Sequence, residues 1–244
     1  MTQPSGTVPG TMHMGGRPVA MISGASRGIG AAIAHRLVEN GWAVSLGLRD
    51  PANAPLHGEA VLACRFDAED PDSEAVWVSD TVARFGRLDG LVHNAGVMLP
   101  INVLDATDQD FARTFAINVR SPMRLTALAW PHLAKERPGR IVVMSSLSGK
   151  RIKSPSSGLY GMSKFALMGF AHALRQSGRD TGIRTTAICP SFVATDMSRD
   201  LTSQDPSLLT QPEDLARIVH MVLELPPTAS IAEVPVHWTV EECF

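Results

Sequence analysis

Tyrosine is nearly absent from this chain, with one, Tyr160, among 244 residues. Lysine is almost as scarce, four (Lys135, Lys150, Lys153 and Lys164) against eighteen arginines. The three cysteines, Cys64, Cys189 and Cys243, are odd in number and far apart. They have neither the density of a disulfide framework nor the spacing of metal ligands, so no metal is expected and a reduced, cytoplasmic compartment fits. No apolar run approaches the ~20 residues that span a bilayer, and no membrane partner is expected. The net charge is only −2, without a basic block, which argues against nucleic acid as an obligate partner. The first seventeen residues lack the charged start and apolar centre of a signal peptide. They read as a flexible leader, residues 1–17, with Met12 or Met14 as alternative starts.

What is present is an ordinary globular composition, 44% apolar and 19% charged. From Pro18 on, short apolar runs alternate with stretches of helical period. Strands are expected at Val19–Ser23, Ala43–Leu48, Val61–Phe66, Gly90–His93, Ile141–Met144, Arg184–Cys189 and Ala232–His237. A helix with Ile29, Ile33 and Leu37 on one face should stop at Asn40-Gly41. Further helices are expected over 72–85, over 108–133 with a break near Ser121-Pro122, and over 159–177. A last one should start at a capping box, Thr210 to Glu213. Fully apolar strands alternating with helices mean a parallel sheet covered on both faces, an α/β fold. No composition break or internal repeat divides residues 18–240, so 18–244 is expected to be one domain.

The first strand-to-helix junction reads Ser23-Gly24-Ala25-Ser26-Arg27-Gly28-Ile29-Gly30. In a doubly wound, Rossmann-type domain this junction holds a dinucleotide pyrophosphate. Glycines let the backbone approach the phosphates, and the helix N-terminus offers unpaired N–H groups. The spacing is G-x-x-x-G-x-G; by itself it also fits an ordinary glycine-rich turn. The second strand ends Gly47-Leu48-Arg49-Asp50, with Leu48 where a carboxylate for the ribose hydroxyls is expected. Arg49 and Arg27 around one pocket favour NADP(H). A register one residue off would bring Asp50 in and make NAD(H) the alternative.

Tyr160 is followed at i+4 by Lys164, on the same helical face. An ammonium ~5 Å from the phenol is expected to favour the phenolate by roughly two pKa units. Upstream, the strand ending at Met144 runs into Ser145-Ser146-Leu147-Ser148-Gly149, and strand carboxyl ends are where open α/β sheets build sites. Asn94-Ala95-Gly96 follows another strand at the same edge. Asn118, at a helix bend, would leave a backbone group free to bind water.

At these residues the chain resembles the short-chain dehydrogenase/reductase family over residues 18–240. The family's T-G-x-x-x-G-x-G appears as Ser23 to Gly30, its N-A-G as Asn94 to Gly96, and its Y-x-x-x-K as Tyr160 to Lys164. Its P-G-x-V-x-T appears as Pro190 to Thr195, with Ser191 for the glycine. The resemblance implies that Gly24, Ser26, Arg27, Gly28, Ile29 and Gly30 bind the dinucleotide phosphates, and Asp67 its adenine. Asn94, Ala95, Gly96, Pro190, Val193 and Thr195 would line the cofactor further along, with Arg49 on a 2′-phosphate. It further implies that Tyr160 transfers a proton, Ser146 orients the substrate oxygen, Lys164 binds the nicotinamide ribose, and Asn118 holds a relay water. The reaction implied is interconversion of a carbonyl and a secondary alcohol by a homotetramer or homodimer. Ser146 lies fourteen residues before Tyr160, one more than the pattern expects, so Ser145 and Ser148 stay open. The ending Val234 to Trp238 lacks Asp-Gly-Gly and is closer to relatives acting on small 3-hydroxy acids or hydroxy amino acids. Residues 191–211 are expected to form a lid, and Arg151 or Lys153 to meet an anionic substrate group. The alternative function is a non-catalytic NAD(P)-binding sensor.

Overall fold

The computed structural model of the protein describes residues 16–133 and 138–240. The expected leader lies outside the described residues except for Gly16 and Arg17, as does Cys243.

Seven strands form one sheet: β1 (Val19–Ser23), β2 (Ala43–Leu48), β3 (Val61–Arg65), β4 (Gly90–His93), β5 (Arg140–Met144), β6 (Arg184–Pro190) and β7 (Glu233–Val236). Their order is β3-β2-β1-β4-β5-β6-β7, and every neighbouring pair is parallel. The winding direction reverses between β1 and β4, which opens a crevice at the carboxyl ends of these strands.

Both faces are covered, as the apolar strands require. Helices α1 (Gly28–Glu39) and α7 (Pro212–Glu224) lie on one face, where Ile33, Leu37 and Val219 pack with Ile22, Leu46 and Val92. On the other face lie α2 (Pro71–Phe85), α4 (Ser121–Ala129) and α5 (Gly158–Ser177); there Trp77, Leu125 and Leu167 share a core with Met21, Leu91 and Ile141. Met21 and Ile22 enter opposite cores because successive strand side chains alternate. Burying each such Leu or Ile contributes about 1.5–3 kcal/mol.

The remaining helices are α3 (Asp108–Phe115) and the short α6 (Asp196–Arg199). Helix α1 stops as its sequence indicates, at Gly41 with φ +85°. Two expectations shift. The long helical region breaks earlier than Ser121-Pro122: residues Ala116–Arg120 form a π turn in which Ser121 N–H reaches the Ala116 carbonyl. Pro122 is the physical reason, since it has no N–H to give the Asn118 carbonyl four residues back. The capping box of α7 sits one residue later than expected, with Gln211 N–H donating to Asp214 at 3.1 Å. Thr210 is used elsewhere, bridged to Val193, with its carbonyl accepting from Ala194 N–H.

At the end of β4, His93 is buried and hydrogen-bonded to Thr126 Oγ1 at 2.7 Å. Burial pushes its pKa down to about 3 from 6.5. The folded state therefore refuses a proton that the unfolded chain accepts between those values. Stability should fall as pH drops from 6.5 towards 3, by about 1.4 kcal/mol per unit. Urea unfolding at pH 6.5 and 4.5 is expected to show this loss in the parent and a much smaller one in His93→Gln. Equal losses in both would assign the acid sensitivity to other groups.

Candidate active site

The glycine loop is shaped by contacts that leave no room for side chains. Gly24 has φ +67° and lies so close to Ala95 that a Cβ would stand 2.9 Å from the Ala95 Cα. Gly28 has φ +56° and faces the Thr195 methyl. On Gly30 a Cβ would meet the Gly24 carbonyl at 2.3 Å and Asn94 Nδ2 at 2.6 Å. Asn94 fastens the loop from the neighbouring strand, its amide donating to the Ser23 and Gly24 carbonyls at 3.1 and 3.0 Å. The residue before α1, Arg27, is extended and gives the helix no side-chain cap. The first-turn N–H groups beside Ser26 and Arg27 are thus a place for anionic oxygens. Ile29 turns away and packs on the core. This is a cradle of the kind a dinucleotide pyrophosphate needs, and Gly24, Ala95, Asn94 and Gly30 meet in it as expected.

At the second strand, Leu48 is buried in the core beneath α1 and α7, and Arg49 is exposed just past the strand end. Asp50 is committed locally: its carboxylate accepts from Ala52 N–H at 3.0 Å and Asn53 Nδ2 at 2.9 Å. Asp67, past β3, accepts from Glu69 N–H, and its own N–H is held by Ser73 Oγ.

Four polar residues converge at the carboxyl ends of β4 and β5. Ser146 Oγ accepts from Ser148 N–H at 3.1 Å, donates towards the Pro190 carbonyl at 3.4 Å, and lies close enough to Tyr160 to pull that phenol's pKa down. The other two serines are placed differently. Ser145 is buried and donates to the Lys164 backbone carbonyl, and Ser148 meets Ser146 through its own N–H. Lys164 Nζ donates to the Met144 carbonyl at 2.9 Å and lies 5.5 Å from the Tyr160 ring centre. Gly96 runs between, with Lys164 Nζ and Asn118 Oδ1 at 3.7 and 3.3 Å from the place a Cβ would occupy. Asn118 clamps the loop after Gly96: Oδ1 accepts from Val97 N–H, and Nδ2 donates to the Val97 carbonyl and Ser163 Oγ, all within 2.8–2.9 Å.

The expected electrostatics of the pair are reversed. Desolvation by burial pushes Tyr160 up to about 12, against a smaller downward pull from the Ser146 hydroxyl. Burial also pushes Lys164 down to about 8. At neutral pH the site therefore holds a phenol, which is a proton donor rather than a base.

Pro190 ends β6, and Ser191 N–H continues to the Val236 carbonyl at 2.8 Å. Val193 is buried, and with Ala194 it joins Thr210, so the segment between them is closed at its base. Thr195 opens α6 against Gly28, and Asp196 pairs with Arg27 at 3.2 Å across to the glycine loop. Lys150, in the loop expected to meet an anion, is paired with Glu233 on β7.

Sequence reasoning missed two groups. Ser23 Oγ accepts from both Asn94 and Ala95 N–H at 3.0 and 3.1 Å, tying the glycine loop to β4. Its place at the head of the motif was the available signal. Asp196 left none, since its partner is 169 residues earlier in the chain.

A parallel seven-stranded sheet with a glycine cradle and a Ser-Tyr-Lys cluster at its switch point defines a class, the dinucleotide-dependent oxidoreductases. The family model for short chain dehydrogenases matches residues 18–206. The chain belongs to that family. It is 42% identical over 229 residues to an agropine synthesis reductase of Rhizobium rhizogenes, covering 91% of this chain and 52% of that protein. The chain thus spans about half the length of that relative. Among solved structures it resembles a short chain dehydrogenase from Burkholderia cenocepacia in complex with NADP, with TM-score 0.83 and 28% identity over 92% of this chain and 98% of that one. A 3-ketoacyl-(acyl-carrier-protein) reductase from Brucella melitensis, complexed with NADH, gives TM-score 0.83 and 25% identity over 91% and 98%. Among the described residues, no helix is long and apolar enough to cross a membrane.

Proposed function

We propose that the chain reduces a carbonyl to a secondary alcohol, and runs the reverse, with Tyr160 as the proton-transfer group. One observation carries this reading: the only tyrosine is buried beside Ser146, with a buried lysine one helical turn on whose Nζ lies 5.5 Å from the ring centre. The nicotinamide cofactor, when bound, supplies or accepts the hydride. Ser146 orients the substrate oxygen beside the Tyr160 hydroxyl. The neutral phenol gives its proton to that oxygen, and Lys164 is placed to bind the nicotinamide ribose and stabilise the phenolate left behind. The Asn118 carbonyl, which Pro122 cannot engage, holds a water that returns the proton. Agropine synthesis reductase by its name, and the 3-ketoacyl reductase by its, support reduction as the direction. Those names favour an enzyme over the sensor reading.

The preferred cofactor in this reading is NADP(H). Arg49 is exposed at the end of β2, Arg27 stands beside the cradle in a pair with Asp196, and Asp50, next to Arg49, is spent on its own turn. A charge-assisted bond from Arg49 to a 2′-phosphate is worth about 1.5–3 kcal/mol. Arg49→Ala is therefore expected to raise the Kd for NADPH roughly ten- to a hundredfold and to leave NADH nearly unchanged. Equal losses for both, or a parent preference for NADH, would make this an NAD(H) site.

Residues 18–244 act in this reading as one catalytic domain of a cytoplasmic homotetramer or homodimer. Its substrate is a small 3-oxo acid or other ketone. A panel of 3-oxo acids, their methyl esters and plain ketones, followed at 340 nm with NADPH and NADH, tests the whole assignment. Turnover of acids and esters at similar kcat/KM would remove Arg151 and Lys153 from substrate binding.

A further inference from the structure

Lys150 and His172 meet on one carboxylate. Glu233, the first residue of β7, binds Lys150 through Oε2 and the His172 ring through Oε1, the latter at 2.6 Å. The pair is largely withdrawn from water, with side-chain exposures of 13% for Lys150 and 22% for Glu233. The Lys150 ammonium foremost, and the His172 ring after it, hold the Glu233 carboxyl below its ordinary value. Ion pairs taken out of water survive only where geometry is good, so this one fixes its three elements relative to one another.

Each partner leads back to the site. Lys150 closes the turn that begins at Ser146, its N–H donating to the Leu147 carbonyl at 2.9 Å and Gly149 N–H to the Ser146 carbonyl at 2.9 Å. That turn rests on α5, because a Cβ on Gly149 would stand 2.7 Å from the Lys164 carbonyl. His172 lies on the same α5 stripe as Lys164 and Met168, at successive steps of four. Cys189 on β6 packs on Met168 and lies within electrostatic reach of Lys150, Glu233 and Lys164 alike. The Ser146 turn is thus held from two sides, by α5 beneath it and by Glu233 at its end.

We propose that Glu233 is a positioning residue: by binding Lys150 and His172 together it fixes the turn on which Ser146 meets Tyr160. The proposal rests on the reading of Ser146 and Tyr160 given above. None of the three residues touches the reacting atoms.

Two measurements on the full chain test it, Glu233→Gln against the parent. Amide hydrogen exchange, which needs no substrate, is expected to speed up at least about fivefold in residues 147–151 and to stay unchanged in β4. In turnover, kcat is expected to fall about tenfold, with the Kd for NADPH within twofold. The charge-swapped pair Lys150→Glu/Glu233→Lys is expected to recover most of that loss. Unchanged exchange at 147–151, or a variant that loses thermal stability with kcat intact, overturns the proposal. So does a loss that the swap does not recover. If Glu233→Gln does not fold, Lys150→Met is read by the same two measurements. Failure of the catalytic reading looks different: exchange responds as stated, yet Tyr160→Phe still turns over.

Discussion

Tyr160→Phe is expected to lower kcat by roughly 10³-fold while the Kd for NADPH stays within about twofold. The phenol sits at about 12 because burial removes the water that would stabilise its anion. It is therefore protonated across the working range and, in the proposed reading, would donate to a carbonyl oxygen oriented by Ser146. Phenylalanine keeps the ring and its packing but has no proton to give. Stopped-flow absorbance at 340 nm measures the first effect and NADPH fluorescence titration the second. A variant that kept more than a tenth of parent kcat would take Tyr160 out of the assigned role.

Gly30→Ala is expected to cost about 3 kcal/mol and lower Tm by about 6–12 °C, with dinucleotide binding lost. The added methyl would lie 2.3 Å from the Gly24 carbonyl and 2.9 Å from the Ala25 Cα, both backbone atoms that no rotamer change can move. It would also press on Asn94, whose amide closes the loop. Gly169 in α5 is the control, since nothing lies within 4 Å of its missing Cβ. There alanine should stabilise by roughly 0.5–1 kcal/mol, because helix interiors penalise glycine. Calorimetry on both variants decides the matter. Similar small shifts in the two would mean the cradle yields more easily than its contacts suggest.

The strands were legible because they are buried on both faces and so carry apolar runs, as Val19 to Ile22 in β1 and Ile141 to Met144 in β5. The positions of Gly24, Gly30, Asn94, Tyr160 and Lys164 in one crevice followed from strand ends and helix period. What escaped was set by groups far away in the chain. The i, i+4 spacing placed Lys164 near Tyr160, yet spacing says nothing of desolvation, which reversed the expected pKa direction. The partner of Lys150, Glu233, reaches it only because β7 returns to the sheet beside β6. The cap of α7 moved by one residue because Thr210 had a second use, pairing with Val193. The choice among Ser145, Ser146 and Ser148 needed the turn itself, since adjacent residues leave a strand end in different directions.

The all-parallel sheet sets an order of events on the chain as it is made. An antiparallel meander can zip one hairpin at a time, but here each pairing waits for a crossover. The central one is the most delayed: β1 is flanked on that side by β4, with Ala20 opposite Gly90. The glycine loop inherits this delay, because Ser23 and Gly24 take their shape from Asn94 and Ala95. A nascent chain carries the whole phosphate-binding motif some sixty residues before it owns the strand that folds it. Affinity for the dinucleotide is thus a late acquisition, and a fragment ending before β4 would display the motif without the site.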